Sequence, residues 1–583
     1  MTYAAFRPLA AALAALAIFP ASSSAAAAPF LRRPPASSSK GMVVTQQSYA
    51  TRAGVEVLAK GGNAVDAAIA VGYALAVVDP CCGNIGGGGF MLVRMHDGRT
   101  RFIDFRERAP MRATRKMYLD AAGNPVAGRS LKGWLSVGVP GTVAGLERAR
   151  VEFGTRSRAG LLAPAIALAR DGYRVAPGDA AVYADGANEV SGGPYAFTAQ
   201  PNVASIFTRA GAVPQAGALL RQPQLAATLQ TISDGGADAF YRGPIARAVV
   251  AASDASGGIL SLGDFARYAV NEYAPVRCAY HGYTVLSAPP PSSGGVVLCE
   301  ILHILAPYPL GKWGYNSVRS THYVAEAERR AYADRNTYLG DPVFVPNPIR
   351  QLLDPAYAAR LRSQIAPDRA TPSSQVHPGL GPVASPEKAE TTHYSIVDRY
   401  GNAVAVTYTI NDLFGAGVIA GNTGFFLNDE MDDFTSKPGV PNLYGLVQGE
   451  RNAVAPGKRP LSSMTPTIVT RGSKLAFVTG SPGGSRITTI VLDTLLNVLD
   501  YSMNVQDAVD APRTHMQWLP DRIQYEPGAF DRATANTLRT MGYSLDEVRS
   551  WGSAQAIWID PRTGIRYGGT DRRRSTGLAA GEP

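Results

Sequence analysis

The residues with most scope for chemistry lie in the second half of the chain. Thr391 stands where a stretch rich in Pro, Ser, Ala and charge, Ile365 to Glu390, gives way to an alternating, strand-like run from Thr391 to Val397. A threonine hydroxyl is a weak nucleophile until a base takes its proton. Cutting the bond between Glu390 and Thr391 would put a free α-amine on the same residue, where it can act as that base. The alternative is an ordinary β-branched residue opening a strand, the common case for a Thr-Thr pair. A second element, Gly480-Ser481-Pro482-Gly483-Gly484-Ser485, joins a strand to a helix. Glycine N–H groups there converge near the positive end of the helix dipole, as an oxyanion hole requires. A phosphate-binding or simple tight turn reads equally well, although Arg486 and Ile487 stand where a Walker loop would carry Lys-Ser/Thr.

Three polar clusters flank strand-like runs. Asn428-Asp429-Glu430-Met431-Asp432-Asp433 follows Phe425 to Leu427, Lys458-Arg459-Pro460-Leu461-Ser462-Ser463 precedes the next strand, and Asp104-Phe105-Arg106-Glu107 ends an early one. The acidic run lacks the glycine and spacing of an EF-hand loop. Each cluster taken alone also fits a solvated charged edge.

These residues need a scaffold. Gln46 to Lys60 has helical spacing and stops at Gly61-Gly62; Asn63 caps a second, very apolar helix that ends at Asp79-Pro80. Gly86 to Gly89 then form a run that propensity cannot hold, so backbone must press there against another backbone or a ligand. Phe90 to Met95 and Arg101 to Phe105 read as a hairpin, and helical patterns dominate from about Gly141 to Leu310, with loops at Ser191 to Pro194 and Pro289 to Gly295. The 365–390 stretch reads as exposed and mobile, a natural place for a cut. Ala403 to Ile410, Thr465 to Val469 and Leu475 to Val478 alternate as strands, and Ile487 to Leu499 as a helix. Antiparallel hairpins mixed with helices predict sheets covered by helices, an α+β fold.

Composition narrows the function classes. With 46% hydrophobic and 17% charged residues, the chain is globular rather than disordered. The net charge of +10 is not gathered into a face: Arg32-Arg33 and Arg572-Arg573-Arg574 are the only dense clusters, so a nucleic-acid partner is not expected. Arg7, the apolar run Leu9 to Phe19, Pro20 and the small residues Ala21 to Ala28 have the layout of a secretory signal over residues 1–28. Neither that run nor Ala64 to Val78 spans a bilayer comfortably, so the mature protein is expected to be periplasmic or secreted, without membrane insertion. Of four cysteines, adjacent Cys81 and Cys82 are unsuited to a mutual bond on geometric grounds, while Cys278 with Cys299 stays open.

Taken together, the chain resembles the γ-glutamyltranspeptidase family from about Gly41 to Gly577. The resemblance rests on Gly61 to Ala67, Gly83 to Phe90, Pro289 to Gly295, Thr391-Thr392-His393-Tyr394-Ser395, Leu427-Asn428 with Met431 to Phe434, Arg459 to Met464, and Gly480 to Gly484. It implies an Ntn-hydrolase αββα sandwich, cut between Glu390 and Thr391 into a large subunit, 29–390, and a small catalytic one, 391–583, that stay together as a heterodimer. By the same resemblance Thr391 is the nucleophile, Thr409 assists it, and the Gly483 and Gly484 amides form the oxyanion hole. Arg106, Ser462 and Ser463 would hold the α-carboxylate of a γ-glutamyl group, and Asn411, Glu430 and Asp433 its ammonium. Tyr444 would tip a lid over 438–449. Glutathione and related donors, amino-acid or dipeptide acceptors, and no cofactor or metal are implied. A cephalosporin-type acylase, a strict hydrolase and a catalytically dead binding protein are the rival readings. Two departures stand out: Cys81-Cys82 before Gly83, and Glu390 where an amide residue is common in bacterial members.

Overall fold

The computed structural model describes residues 34–188, 196–380, 386–387, 391–438, 440, 445–446 and 449–583. The expected signal, Glu390 and Tyr444 lie outside these residues. Two seven-stranded sheets form the centre. The first runs, edge to edge, through Leu578–Gly581, Met42–Thr45, Thr392–Val397, Ala403–Thr409, Gly88–Arg94, Thr100–Asp104 and Asn271–Tyr273. The second runs through Ala36–Ser38, Arg566–Thr570, Gln555–Ile559, Lys474–Gly480, Thr467–Arg471, Tyr283–Ser287 and Val276–Tyr280. Neighbours in both are antiparallel.

The central hairpin explains the layering. Thr392 pairs with Tyr408 and Val397 with Ala403. Its turn is set by Asp398, whose Oδ1 accepts from the N–H groups of Tyr400 and Asn402 at 2.9 and 3.0 Å, with Gly401 at φ 88°. Successive side chains leave opposite faces of a strand. Tyr394, Ile396, Val404, Val406 and Tyr408 pack against the helices Ser48–Ala59 and Ala64–Val78. Val397, Ala403 and Ala405 instead meet Ile468, Val478 and Ile557 of the second sheet. The helices Gly294–Leu305 and Ile487–Leu499 cover that sheet's far face. The order is helix, sheet, sheet, helix, as the α+β reading predicts.

The capping expected of Asn63 is present: its Oδ1 accepts from the N–H groups of Val65 and Asp66, and Asp66 returns a bond to the Asn63 N–H. The glycine run also has its reason. A Cβ on Gly86 would lie 2.1 Å from the carbonyl oxygen of Phe426, and one on Gly87 2.0 Å from that of Thr409. Only bare backbone fits between those chains.

Three features differ from expectation, and one left open is settled. Among its described residues the stretch 141–310 contains five strands among its helices; Val276–Tyr280 alternates buried and exposed, a two-residue period lost among neighbouring apolar runs. The early part of the 365–390 stretch is docked: Ala370 N–H donates to Met541 O at 2.7 Å, and Trp518 Nε1 to Ser373 O at 2.9 Å. Its last part, 381–385 and 388–390, lies outside the described residues. Cys81 and Cys82 are bonded to each other, against the geometric expectation: a trans peptide sets their Cα atoms 3.8 Å apart, below the usual range, yet the pair closes on itself in the turn after Asp79. Cys278 and Cys299, with Cα atoms 5.7 Å apart, tie the strand Val276–Tyr280 to the helix Gly294–Leu305. Among the described residues no helix is long and apolar enough to cross a membrane.

Candidate active site

One cleft collects nine of the residues singled out from sequence. Thr391, Thr409, Gly484, Arg106, Asn411, Glu430, Asp433, Ser462 and Ser463 line it, joined by Met464 and Ile487. Gly483 sits one residue behind the lining. Thr391 enters at the start of the central strand and Thr409 at the end of its antiparallel partner, so hairpin pairing alone brings the two hydroxyl residues to one end of the sheet. Gly483 and Gly484 adopt φ of 134° and 59°, conformations suited to glycine, and lead directly into the helix Ile487–Leu499. The loop is pinned from below by Tyr332, whose hydroxyl donates to Ser485 O at 2.5 Å.

Arg106 is the electrostatic centre. It is wholly buried, and its two terminal nitrogens donate to Glu430 Oε1 and Asp433 Oδ2, while Nε donates to Pro460 O at 3.3 Å. Glu107 Oε2 lies 3.5 Å from Nη1. Its backbone is clamped as well: Asp104 Oδ1 accepts from Arg106 N–H at 2.9 Å, and Tyr268 Oη and Arg459 Nε donate to Arg106 O at 2.9 and 3.2 Å. Burial would weaken the guanidinium's hold on its proton, but Glu430, Asp433 and Glu107 outweigh that and raise it above its ordinary value. Burial also raises Glu430 and Asp433, with Arg106 opposing it, and lifts Glu107 from 4.5 to about 7. The sequence reading sets Arg106 at one end of the pocket and the two acids at the other. In the structure they are ion-paired with each other.

The remaining lining is held by its neighbours. Asn411, at φ 76°, donates its N–H to Thr409 Oγ1 at 2.8 Å and its amide nitrogen to Asp429 O at 3.1 Å. The Ser462-Ser463 segment is stitched to the Pro289–Gly295 loop: Ser293 N–H donates to Ser462 O at 2.7 Å and Ser462 N–H to Pro291 O at 2.8 Å.

Sequence reasoning missed Arg335. Its guanidinium donates to Ser293 Oγ and Ser463 Oγ, both at 2.9 Å, and so fixes the serine wall. The helix that carries it, Val318–Tyr338, buries Glu326, Glu328, Arg329, Arg330, Asp334 and Arg335 together. A helix so charged, with no apolar stripe, reads as a surface helix, and no local signal marks it as buried. Glu107 was flagged only as part of a charged cluster.

The arrangement offers a hydroxyl nucleophile with a second hydroxyl near it, backbone donors at a helix start, and one buried guanidinium among carboxyls. That combination fits acyl transfer from an amide whose acyl part carries both a carboxylate and an ammonium. Among the described residues His393 and His515 are buried and driven down to about 3 by that burial, so both stay neutral at ordinary pH.

Comparison with known proteins agrees with this chemistry. Residues 50–581 match the family model described as gamma-glutamyltranspeptidase. The chain is 52% identical over 549 residues to a glutathione hydrolase proenzyme of Pseudomonas sp. (strain A14), covering 93% of this chain and 94% of that protein. It is 47% identical to the glutathione hydrolase proenzyme of Escherichia coli (strain K12), with 93% and 92% covered. Among solved structures, cephalosporin acylase from Bacillus halodurans superposes with a TM-score of 0.82 at 29% identity, covering 95% of this chain and 98% of that one.

Proposed function

Because the chain belongs to the gamma-glutamyltranspeptidase family, we propose that it is a glutathione hydrolase and γ-glutamyl transferase, exported by a signal at 1–28 and activated by its own cleavage before Thr391. In the precursor, Thr391 Oγ attacks the carbonyl carbon of Glu390. The amide C–N bond breaks, its nitrogen becomes the Thr391 α-amine, and water hydrolyses the resulting ester. The products are a large subunit, 29–390, and a small one, 391–583.

In the mature enzyme the α-amine takes the proton of Thr391 Oγ as that oxygen attacks the γ-carbonyl of glutathione. Thr409 supports the hydroxyl, and the Gly483 and Gly484 amides receive the oxyanion. The γ-amide bond breaks, the proton passes to the departing cysteinylglycine amine, and a γ-glutamyl ester remains on Thr391. Water then releases glutamate, or the amine of an amino acid or dipeptide takes the acyl group. Arg106, Ser462 and Ser463 hold the donor's α-carboxylate, and Asn411, Glu430 and Asp433 hold its ammonium.

The observation that carries this reading is the single cleft in which Thr391, Thr409 and Gly484 face the Arg106, Glu430 and Asp433 cluster. The test is intact mass spectrometry of the purified protein, with a γ-glutamyl-p-nitroanilide assay. The expected result is two chains, the smaller beginning at Thr391, with nitroaniline release, and neither cleavage nor release for Thr391→Ala. Efficient processing of Thr391→Ala would sink the proposal. A preference for glutaryl over γ-glutamyl amides would favour acylase activity, against which the buried Glu430 and Asp433 argue.

A further inference from the structure

We infer that a cavity between the helices Val318–Tyr338 and Ile487–Leu499, away from the active-site cleft, is a binding site for one monovalent metal cation. The cavity has space for about one water-sized occupant, on the order of 10 Å³, and is lined by Asn316, Thr321, Asp493, Asn497 and Thr514 among others.

Its polar lining is rich in acceptors. Thr321, 4% exposed, has no hydrogen-bond partner for Oγ1. Asn316 spends its amide nitrogen on Ala529 O at 3.2 Å and Pro512 O at 3.4 Å, and Asn497 spends its own on Ala508 O at 3.1 Å. The oxygens of both amides are thereby left as the uncommitted ends. Tyr315, also in the lining, gives its hydroxyl proton to Pro512 O.

Asp493 has no ion-pair partner among the described residues and accepts only a long bond, 3.3 Å, from Thr514 N–H. The nearest guanidiniums are committed elsewhere: Arg513 to Asp571 and Trp551 O, Arg573 to Glu526 and Asp571. On the facing helix Glu328 accepts from Met516 N–H at 2.8 Å, while its Oε1 has no partner. Asp493 lies in the lining, half-buried, beside an uncommitted hydroxyl and two amide oxygens, while Glu328 is buried behind it, outside the lining, with one oxygen unpartnered; a carboxylate buried without a cation is costly to keep charged. Burial accordingly pushes Asp493 up to about 8 and Glu328 well up.

An all-oxygen set around one carboxylate suits a hard cation. One lining carboxylate and one water-sized space fall short of the six to eight oxygens, several of them charged, that calcium takes. A single carboxylate among neutral oxygens matches the charge of sodium or potassium better than that of a divalent ion. The ion would join the helix that follows Gly484 to the helix that carries Arg335, so its place is structural. The inference is independent of the γ-glutamyl reading.

Thermal unfolding of the processed full protein tests it, in NaCl, KCl, CaCl2 and choline chloride at one ionic strength. The expected result is a saturable rise in melting temperature, on the order of 2 °C, with sodium or potassium over choline. Asp493→Asn and Thr321→Val should each abolish that difference while folding in choline. A thallium(I)-soaked crystal should give an anomalous peak beside Asp493, and this serves if Asp493→Asn does not fold. Equal melting in all four salts, a rise confined to calcium, or a sodium or potassium rise that persists in Thr321→Val would overturn the assignment.

Discussion

Replacing Arg106 tests the substrate-anchoring role most directly, and the structure supplies the magnitude. The guanidinium is wholly buried and donates to two carboxylates that a bound γ-glutamyl group would displace. Two hydrogen bonds to a substrate carboxylate, each worth roughly 1.5–3 kcal/mol when charged, amount to about 3–6 kcal/mol. At 1.4 kcal/mol per decade, Arg106→Gln should lower kcat/KM by roughly 10²- to 10⁴-fold. Arg106→Lys keeps the charge but loses the planar fork, so it should recover only part of the loss. The fold should survive, because Glu430, Asp433 and Glu107 can take up protons rather than stay charged without a partner. The decisive assay is a cycle of enzyme against substrate. The donors are γ-glutamyl-p-nitroanilide and 4-aminobutyryl-p-nitroanilide, which differ by the α-carboxylate alone. The parent should lose as much on moving to the second donor as Arg106→Gln costs with the first, and the variant should hardly distinguish the two. A parent indifferent to the carboxylate, or losses that simply add, would refute the anchoring argument.

Two shorter predictions concern neighbours of that residue. Burial lifts Glu107 from 4.5 to about 7, so the folded protein keeps a proton that the unfolded chain releases, and stability falls as pH rises across that window. Glu107→Gln should therefore gain in melting temperature on the parent between pH 4.5 and 7 and hold the gain above it; parallel melting curves would rule this out. Arg335→Met should cut kcat/KM for γ-glutamyl donors by about tenfold or more, since each charged bond it makes to the serine wall is worth roughly 1.5–3 kcal/mol. Arg335→Lys should recover part of that, and an unchanged kcat/KM in Arg335→Met would remove Arg335 from the positioning machinery.

How much of this was legible in the sequence depends on the range of the interaction that decides each feature. The Asn63 cap and the helix over 487–499 are settled within a few residues, and local patterns gave them nearly to the residue. The four glycines announced a close approach, but only the fold names its partners, the carbonyls of Thr409 and Phe426. Most cleft residues were legible through motif resemblance, and hairpin pairing explains why Thr391 and Thr409 meet. Two things were out of reach. Arg335 comes from a helix whose charge pattern reads as solvated, and its burial depends on ion pairs along that helix, such as Arg330 to Glu326 at 2.6 Å. The pairing of Arg106 with Glu430 and Asp433 joins residues more than 320 positions apart, and no local spacing encodes that geometry.

That pairing also bears on how donors are told apart. A γ-glutamyl group carries a carboxylate and an ammonium, so on entry it can replace each half of the Arg106 ion pairs with a half of its own. Its carboxylate takes the guanidinium, and its ammonium takes Glu430 and Asp433, leaving no charge without a partner. A glutaryl group brings only the carboxylate. It would draw Arg106 away and leave two buried acids unpaired, at a cost of several kcal/mol unless they bind protons. Burial already raises both acids above the usual carboxylate range, so protons are available to them in mild acid. The ratio of kcat/KM for glutaryl-p-nitroanilide to that for γ-glutamyl-p-nitroanilide should therefore climb as pH is lowered from neutrality. Asp433→Asn, which removes one of the orphaned charges outright, should raise the ratio at neutral pH and flatten its pH dependence. A ratio that stays level or falls on acidification in the parent would mean that Glu430 and Asp433 do not carry the discrimination, and that acyl groups are sorted elsewhere in the cleft.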